Sequence, residues 1–509
     1  MGETAVSAPV RHPRGLVTLF FTEMWERFSY YGMRGLLVLF MTDAIREGGL
    51  GMPDKTATAI YGLYTASVYL ASLPGGWVAD RLLGAQRSVW WGGIIIAAGH
   101  FTLAVPDSRT FFLGLVLIVA GTGLLKPNIS AIVGGLYPEG GSRRDAGFSI
   151  FYMGINLGAF LAPFVCGTLG QWYNLQPDGT RFYHWHRGFA AAGVGMVLGL
   201  IQYHFTRRHL GEAGLHPGNT KPMGTVERTI AAGVVAMLAL VIALAFCGVV
   251  HIDPVAIAGN AQMVIIGAAA LYFAGIFVFG RLNTDEKKRV AVILILFISS
   301  ALFWAGFEQA GSFFNLFAER HTVRTVGWLG SLLSDPNWEI PASWFQSINA
   351  IFIIVLAPVM AGVWVRLGRR NLDPSIPVKF GLGLILLALG FLVMMSAAVL
   401  VAAGHKVWPT WLLSIYLIHT FGELCLSPVG LSSVTKLAPP RLVGQMLGTW
   451  FVASSLGSLL AGRIAGEFDE NHLPSWPALC RPMIILPGIA GLLLVAFARP
   501  IKRLMGGVK

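Results

Sequence analysis

Seven ionisable side chains sit where an apolar helix would carry none. From Phe21 to Arg34 the chain reads Phe-Thr-Glu-Met-Trp-Glu-Arg-Phe-Ser-Tyr-Tyr-Gly-Met-Arg, inside an otherwise apolar run. Glu23, Arg27, Tyr30 and Arg34 are spaced i, i+4, i+7, i+11, which is one face of a helix. Glu23 can pair with Arg27, and Tyr30 sits one turn before Arg34. Glu26 lies beside this stripe. Three more apolar runs hold a lone charge: Lys126 in Gly-Leu-Leu-Lys-Pro-Asn, Glu308 in Trp-Ala-Gly-Phe-Glu-Gln, and Glu423 in Phe-Gly-Glu-Leu-Cys. A charge at the centre of a membrane helix costs about 2.5–3.5 kcal/mol on insertion scales, so such residues face a bundle interior or a wet cavity. Interhelical salt bridges are the plainest use for them, but seven exceed what packing requires.

Their balance suggests more. Arg27, Arg34 and Lys126 against Glu23, Glu26, Glu308 and Glu423 leave one negative charge uncompensated, which one proton would neutralise. Glu23 and Glu26 are the expected place for it, because two like charges buried so close are costly and one proton removes the cost. Arg27 and Lys126, from the first half of the chain, can hold a carboxylate; the planar fork of Arg bonds both oxygens. Glu423, from the second half, can hold an ammonium. A zwitterion with an amine at one end and a carboxylate at the other would bridge them. Tyr30, Tyr31, Tyr69, Trp304 and Trp450 offer apolar pockets with hydroxyl or indole handles, although each taken singly is more simply a packing residue.

The rest of the chain must position these groups in a membrane. Of its 509 residues, 55% are hydrophobic and 12% charged, and the mean hydropathy is +0.66. A soluble globular chain carries about 25% charge, so a soluble enzyme, a nucleic-acid binder and a disordered scaffold are all disfavoured. The net charge of +12 does not imply nucleic acid, because the basic residues sit in short loops between apolar runs. A spanning helix needs about 20 mostly apolar residues. Fourteen segments qualify: 16–43, 56–79, 88–105, 110–136, 146–172, 186–206, 229–250, 262–280, 290–318, 342–366, 377–403, 408–435, 442–466 and 480–500. If both termini are cytoplasmic, 24 of the 37 Lys and Arg fall inside and 10 outside, the expected bias. No signal peptide is evident.

The segments divide as six, two and six. We expect an all-α polytopic membrane protein with the major facilitator fold. Its units are an N-terminal six-helix bundle (1–206), a cytoplasmic linker (207–228, including Asn219 and Lys221) and two extra helices (229–280). A charged cytoplasmic joint (281–289) and a C-terminal six-helix bundle (290–509) follow. The extra pair contains no ionisable residue in its apolar runs, which argues against a transport role there. Two six-helix halves suit a transporter with a site at the midplane.

A family resemblance then emerges. Glu23-Met24-Trp25-Glu26-Arg27-Phe28-Ser29-Tyr30-Tyr31-Gly32 resembles the ExxERFxYYG signature of the proton-coupled oligopeptide transporters, the POT family of the major facilitator superfamily. Gly75-Gly76-Trp77-Val78-Ala79-Asp80-Arg81 resembles the superfamily's cytoplasmic gate motif. Gly121–Asn128, Asp145–Ala159, Trp344–Asn349 and Gly422–Ser432 extend the likeness along nearly the whole chain, and the extra helix pair is similar to that of bacterial members.

The resemblance implies a monomeric, multi-pass importer of di- and tripeptides in the bacterial inner membrane, coupled to H+ and without a cofactor. It places Arg27, Lys126, Tyr30 and Tyr31 at the peptide carboxylate, and Asn156, Asn349 and Glu423 at its amino end and backbone. Tyr69, Trp304, Trp450 and Ser454 would line side-chain pockets. Glu23 and Glu26 would serve proton coupling. Arg34 with Glu308, and Lys126 with Glu423, would be salt bridges that form and break between the bundles. Lys55 with Glu319 is a weaker candidate for an outer latch. Phe307 stands where some members have a second acid, which leaves Glu308 alone, and the second segment lacks the His of some animal relatives.

Other readings fare less well. A carrier of another nitrogenous solute such as nitrate would not need an ammonium partner like Glu423. An intramembrane enzyme has no HExxH or GxSxG to stand on, and His100 and His419 are isolated, so no catalytic or metal-binding residue is expected. A channel does not call for two halves joined by a charged cross-pair. Cys166, Cys247, Cys425 and Cys480 are far apart and have no metal-ligand spacing.

Overall fold

The computed structural model describes residues 12–139, 141–218, 224–249, 253–326 and 338–506. Asn219 and Lys221 lie outside them. Fourteen long helices account for all fourteen expected spans. The first six are α1 (Arg14–Thr42), α2 (Asp54–Val78), α3 (Ala85–Leu103), α4 (Ser108–Gly135), α5 (Gly141–Ala162) and α6 (Trp185–Thr206). The inserted pair is α7 (Thr225–Phe246) and α8 (Pro254–Phe279). The last six are α9 (Thr284–Phe307), α10 (Ser347–Arg369), α11 (Ile376–Ala402), α12 (Thr410–Leu437), α13 (Val443–Ala465) and α14 (Trp476–Ala496).

Nine of the helices in the described residues are long and apolar enough to cross a membrane by length and composition. The charged stripe lowers the apolarity of α1. α14 carries exposed Ile485, Leu486, Ile489, Leu492 and Leu493 along one face, which only lipid can cover without cost. The chain is an all-α polytopic membrane protein built as two six-helix bundles with two added helices.

Asp285 to Arg289, expected as a loop-like joint, form the first turns of α9. Asn283 Oδ1 accepts from the Glu286 amide at 2.8 Å, and the Glu286 carboxylate accepts from the Asn283 amide at 3.0 Å. This reciprocal cap starts the helix before the apolar run begins.

The bundles meet along two seams, α2 with α13 and α5 with α10. At Gly62 a methyl group would lie 3.1 Å from the Gly462 Cα, so only paired glycines let α2 and α13 approach this closely. α8 packs across the same seam, where Ala258 meets Ala59, Ala66 and Leu459.

The two ends of the molecule differ. One carries the start of α1 and the end of α14. The other carries a short antiparallel ribbon, β1 (Tyr173–Leu175) and β2 (Arg181–Tyr183). At this ribbon end the bundles are stitched together. Arg320 Nη1 lies 2.6 Å from Asp54 Oδ2 and 3.1 Å from Glu470 Oε1. Lys55 Nζ reaches Glu467 at 3.0 Å, and Arg181 reaches Glu339 at 3.0 Å. Gln171 donates to Glu319 at 3.0 Å and accepts from Ser343 Oγ at 2.8 Å. The expected latch of Lys55 with Glu319 is not formed. Lys55 is drawn to Glu467 instead, and Glu319 is held by Gln171 and by Arg324 at 2.6 Å.

Candidate functional site

α1 delivers its charged face into the protein rather than to its perimeter. Glu23, Glu26, Arg27 and Arg34 are all buried, Glu26 to 1% exposure. Arg27 Nε lies 3.0 Å from Glu23 Oε1, one helical turn back, and is also in ion-pair contact with Glu26. Its guanidinium sits over the Tyr30 ring, 5.3 Å from the centroid. One cation thus serves two carboxylates, and all three groups belong to one helix.

Two turns further on, Arg34 is bound differently. Its Nη2 lies 2.7 Å from Glu308 Oε2 across the bundle boundary, and its Nε donates to the Tyr61 hydroxyl at 2.6 Å. The Tyr61 hydroxyl donates in turn to the Glu308 carbonyl at 3.5 Å. Glu308 can reach inward because α9 ends at Phe307, and Glu308–Gly311 form a tighter turn before the short helix Phe313–His321. Asn315 on that helix donates to the Gly35 carbonyl at 2.8 Å, a second tie to α1. The cross-pair of Arg34 with Glu308 is therefore formed.

Lys126 stands apart. Its ammonium lies over the Tyr69 ring, 4.0 Å from the centroid, and among the described residues no carboxylate lies within ion-pair distance of it. The bridge to Glu423 is open here. Glu423 instead accepts from Asn349 Nδ2 at 3.1 Å, and the same amide donates to Thr420 Oγ1 at 3.0 Å. Glu423 still faces the other bundle, being within electrostatic reach of Tyr31 and Tyr152. Tyr31 also lies 5.7 Å under Arg34. Tyr152, on α5, is 37% exposed. Asn156 donates to the Tyr152 carbonyl at 2.9 Å on this wall.

The aromatic candidates divide. Trp304 packs edge-on to Phe303 and Phe307, and its indole nitrogen is buried with no hydrogen-bond partner among the described residues. Trp450 is buried against Gly430 and Phe380. Ser454 is also buried and donates to the Trp450 carbonyl at 3.3 Å. The last two pack within the second bundle in this conformation.

Tyr61, Tyr152 and Thr420 complete the constellation and were not singled out from the sequence. Tyr61 and Tyr69 are eight residues apart and share a helix face, a signal that was present.

The profile of the POT family matches residues 86–475. The chain belongs to the POT family. It is 44% identical to the peptide transporter YePEPT of Yersinia enterocolitica, covering 98% of this chain and 96% of that one. It is 38% identical to a di-/tripeptide transporter of Lactococcus lactis subsp. cremoris, over 98% and 97%. Among solved structures, a variant of a peptide transporter POT in complex with alafosfalin superposes with a TM-score of 0.86 at 41% identity, covering 98% and 97% of the two chains. A POT family transporter in complex with 5-aminolevulinic acid gives 0.83 at 32%, over 97% and 98%. These matches fit the fold and orient the site as that of a transporter rather than an enzyme.

Proposed function

We propose that this POT family chain is a proton-coupled symporter that imports di- and tripeptides by alternating access. One observation carries the reading: Lys126, on the first bundle, lies over the Tyr69 ring with no carboxylate in ion-pair contact among the described residues, while Glu423, on the second, is held only by the neutral Asn349 amide. Such walls complement the two ends of a peptide zwitterion. The names of the similar Yersinia and Lactococcus proteins support the substrate class.

In this reading Arg27, Lys126, Tyr30 and Tyr31 take the peptide carboxylate. Asn156, Asn349 and Glu423 take the amine and backbone. Tyr69, Trp304, Trp450 and Ser454 shape the side-chain pockets. Glu23 and Glu26 carry the coupling proton, and no resident cofactor is required. The moving units are residues 1–206 and 290–509, joined through 207–228, the extra pair 229–280 and the joint 281–289. The chain works as a monomer in a bacterial inner membrane with both termini cytoplasmic. The ribbon end is then the outer face, and the ion pairs there hold this conformation closed outward. Arg34 with Glu308 separates, and Lys126 with Glu423 joins, as access alternates.

The test is uptake of labelled dialanine into proteoliposomes with an alkaline interior. Accumulation above the external level, abolished by a protonophore, is expected. Glu23→Gln and Lys126→Ala should lose it. Uptake that only equilibrates, or that ignores the pH gradient, overturns the reading.

A further inference from the structure

A buried phenol beside Glu26 and Arg27 has no hydrogen-bond partner among the described residues. Tyr64 on α2 is 5% exposed, and among the described residues its hydroxyl has no hydrogen-bond partner. A buried polar group left unpaired is costly, so an orphan of this kind calls for an explanation. Packing explains the ring: Tyr64 stacks on Tyr30, with centroids 6.3 Å apart and planes 22° from parallel. It does not explain the oxygen, because Phe would stack equally well without the unpaired atom.

The surroundings point to what the hydroxyl meets. Tyr30, on which Tyr64 stacks, carries the Arg27 guanidinium 5.3 Å from its ring centroid, and Arg27 is in ion-pair contact with Glu26, so the charges nearest this ring pair are on α1. On the other packed sides, α13 offers the neutral Ser455, which donates to the Ala66 carbonyl at 3.1 Å, and α8 offers Ala258. α4 places Lys126 over Tyr69, more than a turn further along α2. Of the charges near Tyr64, Glu26 is the acceptor whose two oxygens both lack a directed hydrogen bond. Its compensation comes from Arg27, which it shares with Glu23.

We propose that Tyr64 is a positioning residue for proton coupling: its hydroxyl donates to Glu26 when Arg27 turns toward a peptide carboxylate. A phenol is suited to this, since it donates to an ionised carboxylate and accepts from a protonated one. No bond to carbon is made or broken; only the hydrogen bond and the carboxylate proton change hands. Tyr64 thereby holds Glu26 in place during the interval in which its cation is occupied elsewhere. The inference rests on the symport reading above.

The experiment is the pH profile of dialanine uptake for wild type and Tyr64→Phe in proteoliposomes, alongside proton-independent counterflow exchange. Losing a hydrogen bond to an ionised carboxylate should move the uptake midpoint toward alkaline pH by about one to two units. The counterflow KM should stay within about twofold, because Tyr64 does not hold the peptide and a change of tenfold corresponds to a lost contact. Tyr64→Gln against Tyr64→Leu repeats the comparison without the ring: both lose the stack, and only Gln keeps a donor and the wild-type midpoint. An unmoved midpoint in Tyr64→Phe overturns the inference, as does equal behaviour of the Gln and Leu variants or a counterflow KM that rises with the midpoint. Failure of the symport reading itself looks different, since the wild type would then show no gradient-driven uptake.

Discussion

Arg27 and Arg34 lie on one helix two turns apart, yet their pairings have opposite consequences. Arg27 is neutralised by Glu23 and Glu26 of its own helix, so it can trade partners without any movement of the bundles. Arg34 is neutralised by Glu308 of the other bundle, so it cannot let go unless the bundles part or another cation replaces it. The first arrangement suits a group that exchanges a proton and a ligand. The second suits a lock whose state is the state of the whole transporter. Lys126, held by a ring face rather than a carboxylate, is the third case: a cation kept available.

Breaking the lock should have the largest effect. Glu308→Gln leaves the Arg34 guanidinium buried with a neutral partner. Removing one member of a buried pair costs about 3–5 kcal/mol. Thermal unfolding in detergent should fall accordingly, with transport lost; unchanged stability would mean that water already shares the pair.

Removing the available cation should act on substrate and not on stability. Lys126→Ala should raise the KM for dialanine by about 10- to 100-fold, the value of one charge-assisted contact. Its melting temperature should stay near that of wild type, because no ion pair is broken. A large loss of stability would move Lys126 into the same class as Arg34.

The ribbon end provides a weaker kind of seal. Asp54 and Arg320 are partly exposed, and such pairs contribute about 1 kcal/mol or less. Asp54→Asn should lower the melting temperature slightly, by an amount that shrinks in high salt. A salt-independent loss would show that this pair is dry.

The smallest effect is expected at Asp43. Burial pushes its carboxyl up to about 7, against the Trp185 indole that donates to it at 3.0 Å. A carboxyl raised in the folded state favours folding while protonated, and that contribution disappears as pH rises through about 7. Asp43→Asn should therefore flatten part of the decline in melting temperature between about pH 4 and about pH 7. An identical slope in the variant would place the titration elsewhere.

Much of this is legible in the sequence, because it depends on spacing along one helix. The stripe in α1 and the pairing of Glu23 with Arg27 follow from 3.6 residues per turn. Arg34 with Glu308 followed from the family resemblance. The start of α9 is legible too, in Asn283 and Glu286 three residues apart, but the run of charges after them reads equally as a joint. What could not be read depends on which loops meet. Nothing in the sequence spacing brings Arg320 to Asp54 and Glu470, or Lys55 to Glu467. The placing of Lys126 on Tyr69 also needs the packing of α4 on α2, and the conformation decides that Glu423 lies with Asn349 instead.

The central claim is that opposed charges on the two bundles each hold one end of a peptide. Its most direct test is binding of dialanine, its C-terminal amide and its N-acetyl derivative to wild type, Lys126→Ala and Glu423→Gln. Wild type should reject both blocked peptides. Lys126→Ala should lose its discrimination against the amide alone, and Glu423→Gln its discrimination against the acetylated peptide alone. Variants that weaken all three ligands equally would contradict the account.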